Sequence, residues 1–148
     1  MQGKIALGSD HGGFELKEAI RKNFEEKKVA YEDYGCFNLE SVDYPDIAFR
    51  VGESVAEKKH PLGILICGTG IGMSIAANKV TGIRAALVAD CYSAKMAREH
   101  NDSNILVLGG RVLGQGLALD IVDTFLKAEF TGGRHSGRLK KISDRERC

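Results

Sequence analysis

Leu62-Gly63-Ile64-Leu65-Ile66-Cys67-Gly68-Thr69-Gly70-Ile71-Gly72-Met73-Ser74-Ile75-Ala76-Ala77-Asn78-Lys79 is the stretch from which the rest of the chain is read. Residues 63–66 form a short, wholly apolar, mostly β-branched run, which predicts a buried strand. A glycine turn, 67–72, follows without a spacer, and the helix-favouring residues 73–79 follow the turn. Glycines at alternate positions let the backbone turn sharply. They also let several N–H groups converge where an anion or developing oxyanion meets the positive end of a helix. Cys67 stands at the lip of that point.

The same unit recurs on either side. Residues 4–8 read as a strand, 9–13 as a polar loop, and 14–24 as a helix with Leu16, Ala19, Ile20 and Phe24 at helical spacing. Residues 29–35 predict a second strand and 36–44 a loop. Pro45 suits the first turn of a helix carrying Ile47, Ala48, Val51, Val55 and Ala56. Residues 83–88 and 105–109 read as strands, and 92–100 and 117–125 as helices. Strands alternating with helices, and strands apolar throughout, predict an α/β fold. It is an open doubly wound, Rossmann-like parallel sheet of about five strands with helices on both faces. Ligands of such sheets bind beyond the carboxyl ends of the strands, so the loops from Ser9, Cys67, Ala89 and Gly109 are expected to share one rim.

The 148 residues are read as one domain, long enough to bury roughly 68–70% of the unfolded surface without staples. Residues 131–148 depart from the alternating pattern: Arg134, Arg138, Lys140, Lys141, Arg145 and Arg147 face only Asp144 and Glu146. The formal charge of +1 is well mixed elsewhere, which argues against nucleic acid or a membrane as partner and for a small molecule. Cys36, Cys67, Cys91 and Cys148 are widely spaced, without a C-x-x-C pair or a zinc spacing. Free thiols and a cytoplasmic location are expected. No signal-like or membrane-spanning segment is expected either.

The glycine turn lacks the spacing of the dinucleotide fingerprint, and no Gly-Lys-Ser/Thr follows to make it a P-loop. A thiol beside a helix N-terminus can ionise and serve as nucleophile or base, whereas inert packing is the plain reading of Cys36, Cys91 and Cys148. His11 and His100 are expected on the rim, where imidazole can transfer protons at neutral pH. His60, at the end of a Lys-rich run, reads as a hydrogen-bonded structural or surface residue, and His135 is intermediate. Arg134 and Arg138, four apart, would lie on one side of a helix or turn, and could grip a phosphate through forked donors or belong to a solvated basic face. Tyr44 lines a pocket or closes a loop. The set fits proton transfer on a small phosphorylated carbonyl compound.

The motifs Gly8-Ser9-Asp10-His11-Gly12-Gly13, Asp43-Tyr44-Pro45, Ile66-Cys67-Gly68-Thr69-Gly70-Ile71-Gly72, Ile75-Ala76-Ala77-Asn78-Lys79, Gly82-Ile83-Arg84-Ala85, Arg98-Glu99-His100-Asn101, Gly110-Arg111 and Gly132-Gly133-Arg134-His135 occur in that order. Nearly end to end, the chain resembles the family of B-type ribose 5-phosphate isomerases and galactose 6-phosphate isomerase subunits. The resemblance implies that Cys67 is the base between C1 and C2, with Thr69 beside it, and that His100 opens the furanose ring. It implies that Asp10, Tyr44 and Asn101 contact the sugar, that His11, Arg111, Arg134 and Arg138 hold the phosphate, and that Gly68, Gly70 and Gly72 face the enediolate. One branch of the family has a glutamate base where this chain has Met73; Cys67 with an apolar Met73 resembles the cysteine branch. One chain here carries features that the galactose 6-phosphate enzymes split between two subunits. That implies a homo-oligomer, dimer or tetramer, with each site shared across a dimer interface and the basic tail reaching a neighbour's pocket. No cofactor and no metal is called for. The rivals are an isomerase of hexose 6-phosphates such as allose 6-phosphate, a cysteine-nucleophile hydrolase or transferase, and a phosphate-ligand binding module without turnover.

Overall fold

The computed structural model describes residues 2–147. Five parallel strands, β1 (Ile5–Ser9), β2 (Tyr31–Asp33), β3 (Gly63–Cys67), β4 (Ala85–Leu87) and β5 (Ile105–Gly109), form one sheet in the order β2-β1-β3-β5-β4. The helices are α1 (Phe14–Lys27), α2 (Tyr44–Ala56), α3 (Ile71–Ala77), α4 (Cys91–Asn101), α5 (Gln115–Lys127) and α6 (Arg134–Glu146), with a single 3-10 turn at His11–Gly13.

The twofold alternation of strand side chains explains the layers. Ile5, Leu7, Ile64, Ile66, Leu106 and Leu108 face α1, α4 and α5, where Leu16, Ile20, Phe24, Ala94, Ile121 and Phe125 complete one core cluster. Ala6, Leu65, Cys67, Ile105 and Val107 face α2 and α3, against Ile47, Val51, Val55, Met73 and Ala77. The three central strands are buried along their whole length, as expected of a sheet covered on both faces. Each fully buried Ile or Leu contributes about 1.5–3 kcal/mol of transfer free energy.

Three local differences from the sequence reading have physical causes. β2 spans only Tyr31–Asp33, an edge strand that gives way to Gly35 at φ +97°. α3 begins two residues before Met73, because Gly70 turns the chain at φ +81°. Residues 134–146 form a helix, α6, in the stretch whose charge had set it apart; Gly132 and Gly133, both at positive φ, redirect the chain into it. His60 is buried, as the structural rather than the surface alternative for it requires. Its Nδ1 lies 2.9 Å from the Lys4 carbonyl, which can only accept, so that nitrogen carries the proton. Its Nε2 meets Tyr34 Oη and Glu32 Oε2, each at 3.0 Å, tying the end of α2 to β1 and β2. Cys36, Cys67 and Cys91 are free thiols, and Cys148 lies outside the described residues. Among the described residues, no helix is long and apolar enough to cross a membrane.

Candidate active site

The chain leaves β1 for β2 on one side and returns to β3 on the other, so the connections diverge between β1 and β3. A crevice at such a divergence, at the carboxyl ends of the strands, is where open α/β sheets bind ligands. Cys67 closes β3 there and is 5% exposed. The Gly70 N–H donates to its sulfur at 3.1 Å. Thr69 Oγ1 accepts from Ile71 N at 3.3 Å and stands on the exposed side of the turn. Among the described residues no acceptor meets the N–H groups of Gly72 and Met73, as a first helical turn allows.

Neighbouring loops close on this turn. A Cβ at Gly12 would lie 3.1 Å from Gly68 N, so the loop after β1 abuts the turn after β3. Asp10 is buried, and one of its carboxylate oxygens caps the 3-10 turn by accepting from Gly13 N at 3.1 Å. His11 Nδ1 accepts from Val42 N at 3.2 Å, which leaves Nε2 to carry the ring proton in the neutral form. The ring of Tyr44 lies over Gly72, where a Cβ would fall 2.5 Å from Cζ. From β5, Gly110 N donates to Cys67 O at 2.8 Å and Arg111 N to Gly68 O at 2.9 Å. These bonds bring the Arg111 guanidinium over Gly68, with Nη1 3.2 Å from a Cβ built there. Asp10, His11, Tyr44, Cys67, Gly68, Thr69, Gly70, Gly72 and Arg111 thus form one constellation.

His100 does not join them. α4 begins at the rim and runs back against the strand direction, so His100 and Asn101 end it at the opposite edge, just before β5 starts. The expectation that His100 shares the rim with His11 is therefore corrected. The five residues of β5 put roughly 13 Å between its first and last Cα positions, too far for one small substrate to be gripped from both edges of the same chain. The second constellation has its own scaffold. Arg84 Nε donates to the carbonyls of Asn101 (3.2 Å) and Asp102 (2.9 Å), and the Asp102 carboxylate bridges Arg84 and Arg98 at 3.1 and 3.0 Å. Thr131 donates from both N and Oγ1 to Glu99 O, docking the entry to α6 against the last turn of α4. The rings of His100 and His135 stack, with centroids 4.2 Å apart and planes at 15°. Burial, and then the positive charges of His100, Arg134 and Arg138, hold the His135 imidazole below its ordinary range. Arg134 and Arg138, one turn apart at the start of α6, complete this group, beside a groove of about 730 Å³ lined in part by Asn101, Leu139 and Ile142.

His135 and the Val42 amide on His11 were not anticipated as parts of these groups. The Gly132-Gly133-Arg134-His135 motif could have pointed to the former, but no local signal links residues 11 and 42. Among the described residues, no group of three or more His, Cys, Asp or Glu is arranged to hold a metal.

The ribose/galactose isomerase family model matches residues 5–142. The chain belongs to that family. It is 49% identical to ribose-5-phosphate isomerase B of Escherichia coli over 140 residues, 95% of this chain and 94% of that protein. Its fold superposes on a Clostridium thermocellum ribose-5-phosphate isomerase B with a TM-score of 0.96, at 56% identity and covering 97% of each chain. A Mycoplasma genitalium ribose-5-phosphate isomerase B with bound ribulose-5-phosphate gives a TM-score of 0.94 at 43% identity, covering 99% of this chain and 98% of that one.

Proposed function

We propose that this chain is an aldose-ketose isomerase that interconverts D-ribose 5-phosphate and D-ribulose 5-phosphate through a cis-enediolate. The observation that carries the reading is the Cys67 thiol at the end of β3, with the Gly70 N–H directed at its sulfur, in a member of the ribose/galactose isomerase family. The Cys67 thiolate takes the C2 proton of the open aldose. The C–H electrons form the C1–C2 double bond, and the negative charge moves to O1, stabilised by the amides of the glycine turn. Transfer of the O2 proton to O1, assisted by the Thr69 hydroxyl, and return of the Cys67 proton to C1 give the ketose. Gly68, Gly70 and Gly72 face the enediolate, and Tyr44 and the free oxygen of Asp10 contact the sugar. His11 and Arg111 hold the phosphate.

The remaining functions come from a second copy. His100 as ring-opening acid-base, Asn101 on the sugar, and Arg134 and Arg138 on the phosphate reach the Cys67 site of a neighbouring subunit in a homodimer. Two observations support this. The constellations occupy opposite edges of one sheet, and apolar side chains lie exposed beside the Cys67 turn: Ile71 (55%) and Ile75 (59%), one turn apart on α3, and Leu87 (40%) on edge strand β4. The free thiols Cys36, Cys67 and Cys91 fit a reducing, cytoplasmic setting.

Proton NMR in D2O with ribose 5-phosphate tests the reading. Ribulose 5-phosphate is expected to appear with solvent deuterium at C1, and the ribose 5-phosphate in equilibrium with it at C2, whereas the hydrolase rival predicts a covalent adduct on Cys67 and no such exchange. Sugar bound but unchanged would leave only a binding module. For the phosphate grip, Arg134→Ala is expected to raise KM about tenfold, the loss of one charge-assisted hydrogen bond. Arg21→Ala on α1, which breaks only the Glu18, Glu25 and Tyr31 contacts, is expected to leave KM within about twofold. Equal effects in steady-state kinetics would remove Arg134 from the site.

A further inference from the structure

Lys17 has no place in the chemistry above, yet its side chain is wholly buried. A lysine is almost never fully buried without a partner, and a buried ion pair is commonly no more stabilising than apolar side chains of the same volume. Stability alone therefore explains the position poorly, while the hydrogen bonds around it show where its charge is directed. Nζ donates to Asp33 Oδ2 at the end of β2 and to Glu18 Oε1 at 3.1 Å. The rings of Phe14 and Phe37 each lie 5.5 Å from it, and Phe37 caps the cation although that ring is itself 71% exposed.

Asp33 uses its other oxygen. Oδ1 accepts from Gly35 N at 2.8 Å, which fixes the first turn of the segment leaving β2. The peptide between Gly35 and Cys36 then pairs with Ser9 in both directions: Ser9 N donates to Gly35 O, and Cys36 N to Ser9 O, each at 2.6 Å. Asp10 and His11 follow Ser9 directly. The segment is fastened again at its far end, where Val42 N donates to His11 Nδ1 and the Tyr44 ring lies on Gly72. A continuous chain of hydrogen bonds thus runs from Lys17 through Asp33, Gly35 and Ser9 to the rim, and the loop carrying Tyr44 is held between its two anchors.

We infer that Lys17 and Asp33 form a positioning pair that holds Asp10, His11 and the loop leading to Tyr44 in substrate-binding geometry. The pair touches no substrate. Its cation orients the Asp33 carboxylate so that one oxygen stays on Gly35 N; without it, a carboxylate that is 16% exposed turns toward water and releases that amide. The consequence falls on binding, because Asp10, His11 and Tyr44 hold the sugar phosphate, and not on proton transfer at Cys67, whose turn is held separately by Gly70, Gly110 and Arg111. The inference rests on the isomerase reading for the role of those three residues, but the mechanical link does not.

Two measurements on the full chain test it. In Lys17→Met, KM for ribose 5-phosphate is expected to rise about tenfold with kcat within about threefold of wild type. Backbone amide exchange is expected to accelerate about tenfold at Gly35, Cys36 and Val42 and to stay unchanged at Gly110 and Arg111. Glu18→Gln, which removes the other ion pair of Lys17, is expected to change neither. If Lys17→Met does not fold, Asp33→Ala on the edge strand, with Glu18 still facing Lys17, takes both readouts with the same expected result. A folded variant with wild-type KM overturns the inference, whether or not exchange quickens, and so does unchanged exchange at the three amides. Absence of turnover in the wild type would overturn the isomerase reading alone, since amide exchange still decides the link.

Discussion

Cys67→Ala is expected to lower kcat for ribose 5-phosphate by about 10²–10⁴-fold, the range that a positioned general base supplies, while the dissociation constant for the sugar phosphate stays within about threefold. The split follows from the geometry. Cys67 lies at the end of β3 with its sulfur engaged by Gly70 N, whereas the cations assigned to the phosphate, Arg111, Arg134 and Arg138, belong to other elements. Removing the sulfur deletes the proposed proton acceptor and leaves the proposed binding groups in place. The turn should survive, because Gly110 N and Arg111 N hold it through the carbonyls of Cys67 and Gly68. Steady-state kinetics with calorimetric titration of the sugar phosphate measures the two effects separately. Near wild-type turnover would remove Cys67 from the role of base. A Cys67→Ala chain that lost binding and turnover together would place the sulfur in the architecture of the pocket instead.

The same turn shows why much of the fold was legible. An apolar run joined directly to glycines and a helix start has few other solutions, and repeating it five times leaves a parallel sheet as the way to bury every strand. Strand order is another matter, since nothing local records that β5 lies between β3 and β4. The rim also divides into what direction determines and what contact determines. Parallel strands put Ser9, Cys67 and Gly109 at one edge, and the same rule, carried through the helices, sends the end of α4 to the other edge. Placing His100 on the rim treated a helix end as equivalent to a strand end. Of α6 only a helix or turn at Arg134 and Arg138 is legible, because basic residues dominate its composition and its start is a glycine pair with no side-chain cap. Lys17 escaped because it stands next to the stripe of Leu16, Ile20 and Phe24, and its partner Asp33 is sixteen residues away. Bonds across such intervals, like that of His11 to Val42, are properties of the assembled sheet.

The proposed division of the site between two subunits leads to the other large effect. Cys67→Ala and His100→Ala homodimers are each expected to be nearly inactive, since every site in either contains one defective component. In a mixed dimer the defects segregate. One site joins both substitutions, and the other joins the intact Cys67 turn of one subunit to the intact His100 turn of its partner. Random exchange makes half of the dimers mixed, each with one working site of two, so mixing equal amounts should restore about one quarter of wild-type activity. The two inactive chains, combined after reversible dissociation and assayed with ribose 5-phosphate, give the measurement. Activity no greater than the sum of the separate homodimers would show that His100 does not serve the Cys67 of another subunit. The opposite placement of the two groups on one sheet would then require His100 to act outside the ring-opening step, because a single chain holds it roughly a strand length from Cys67.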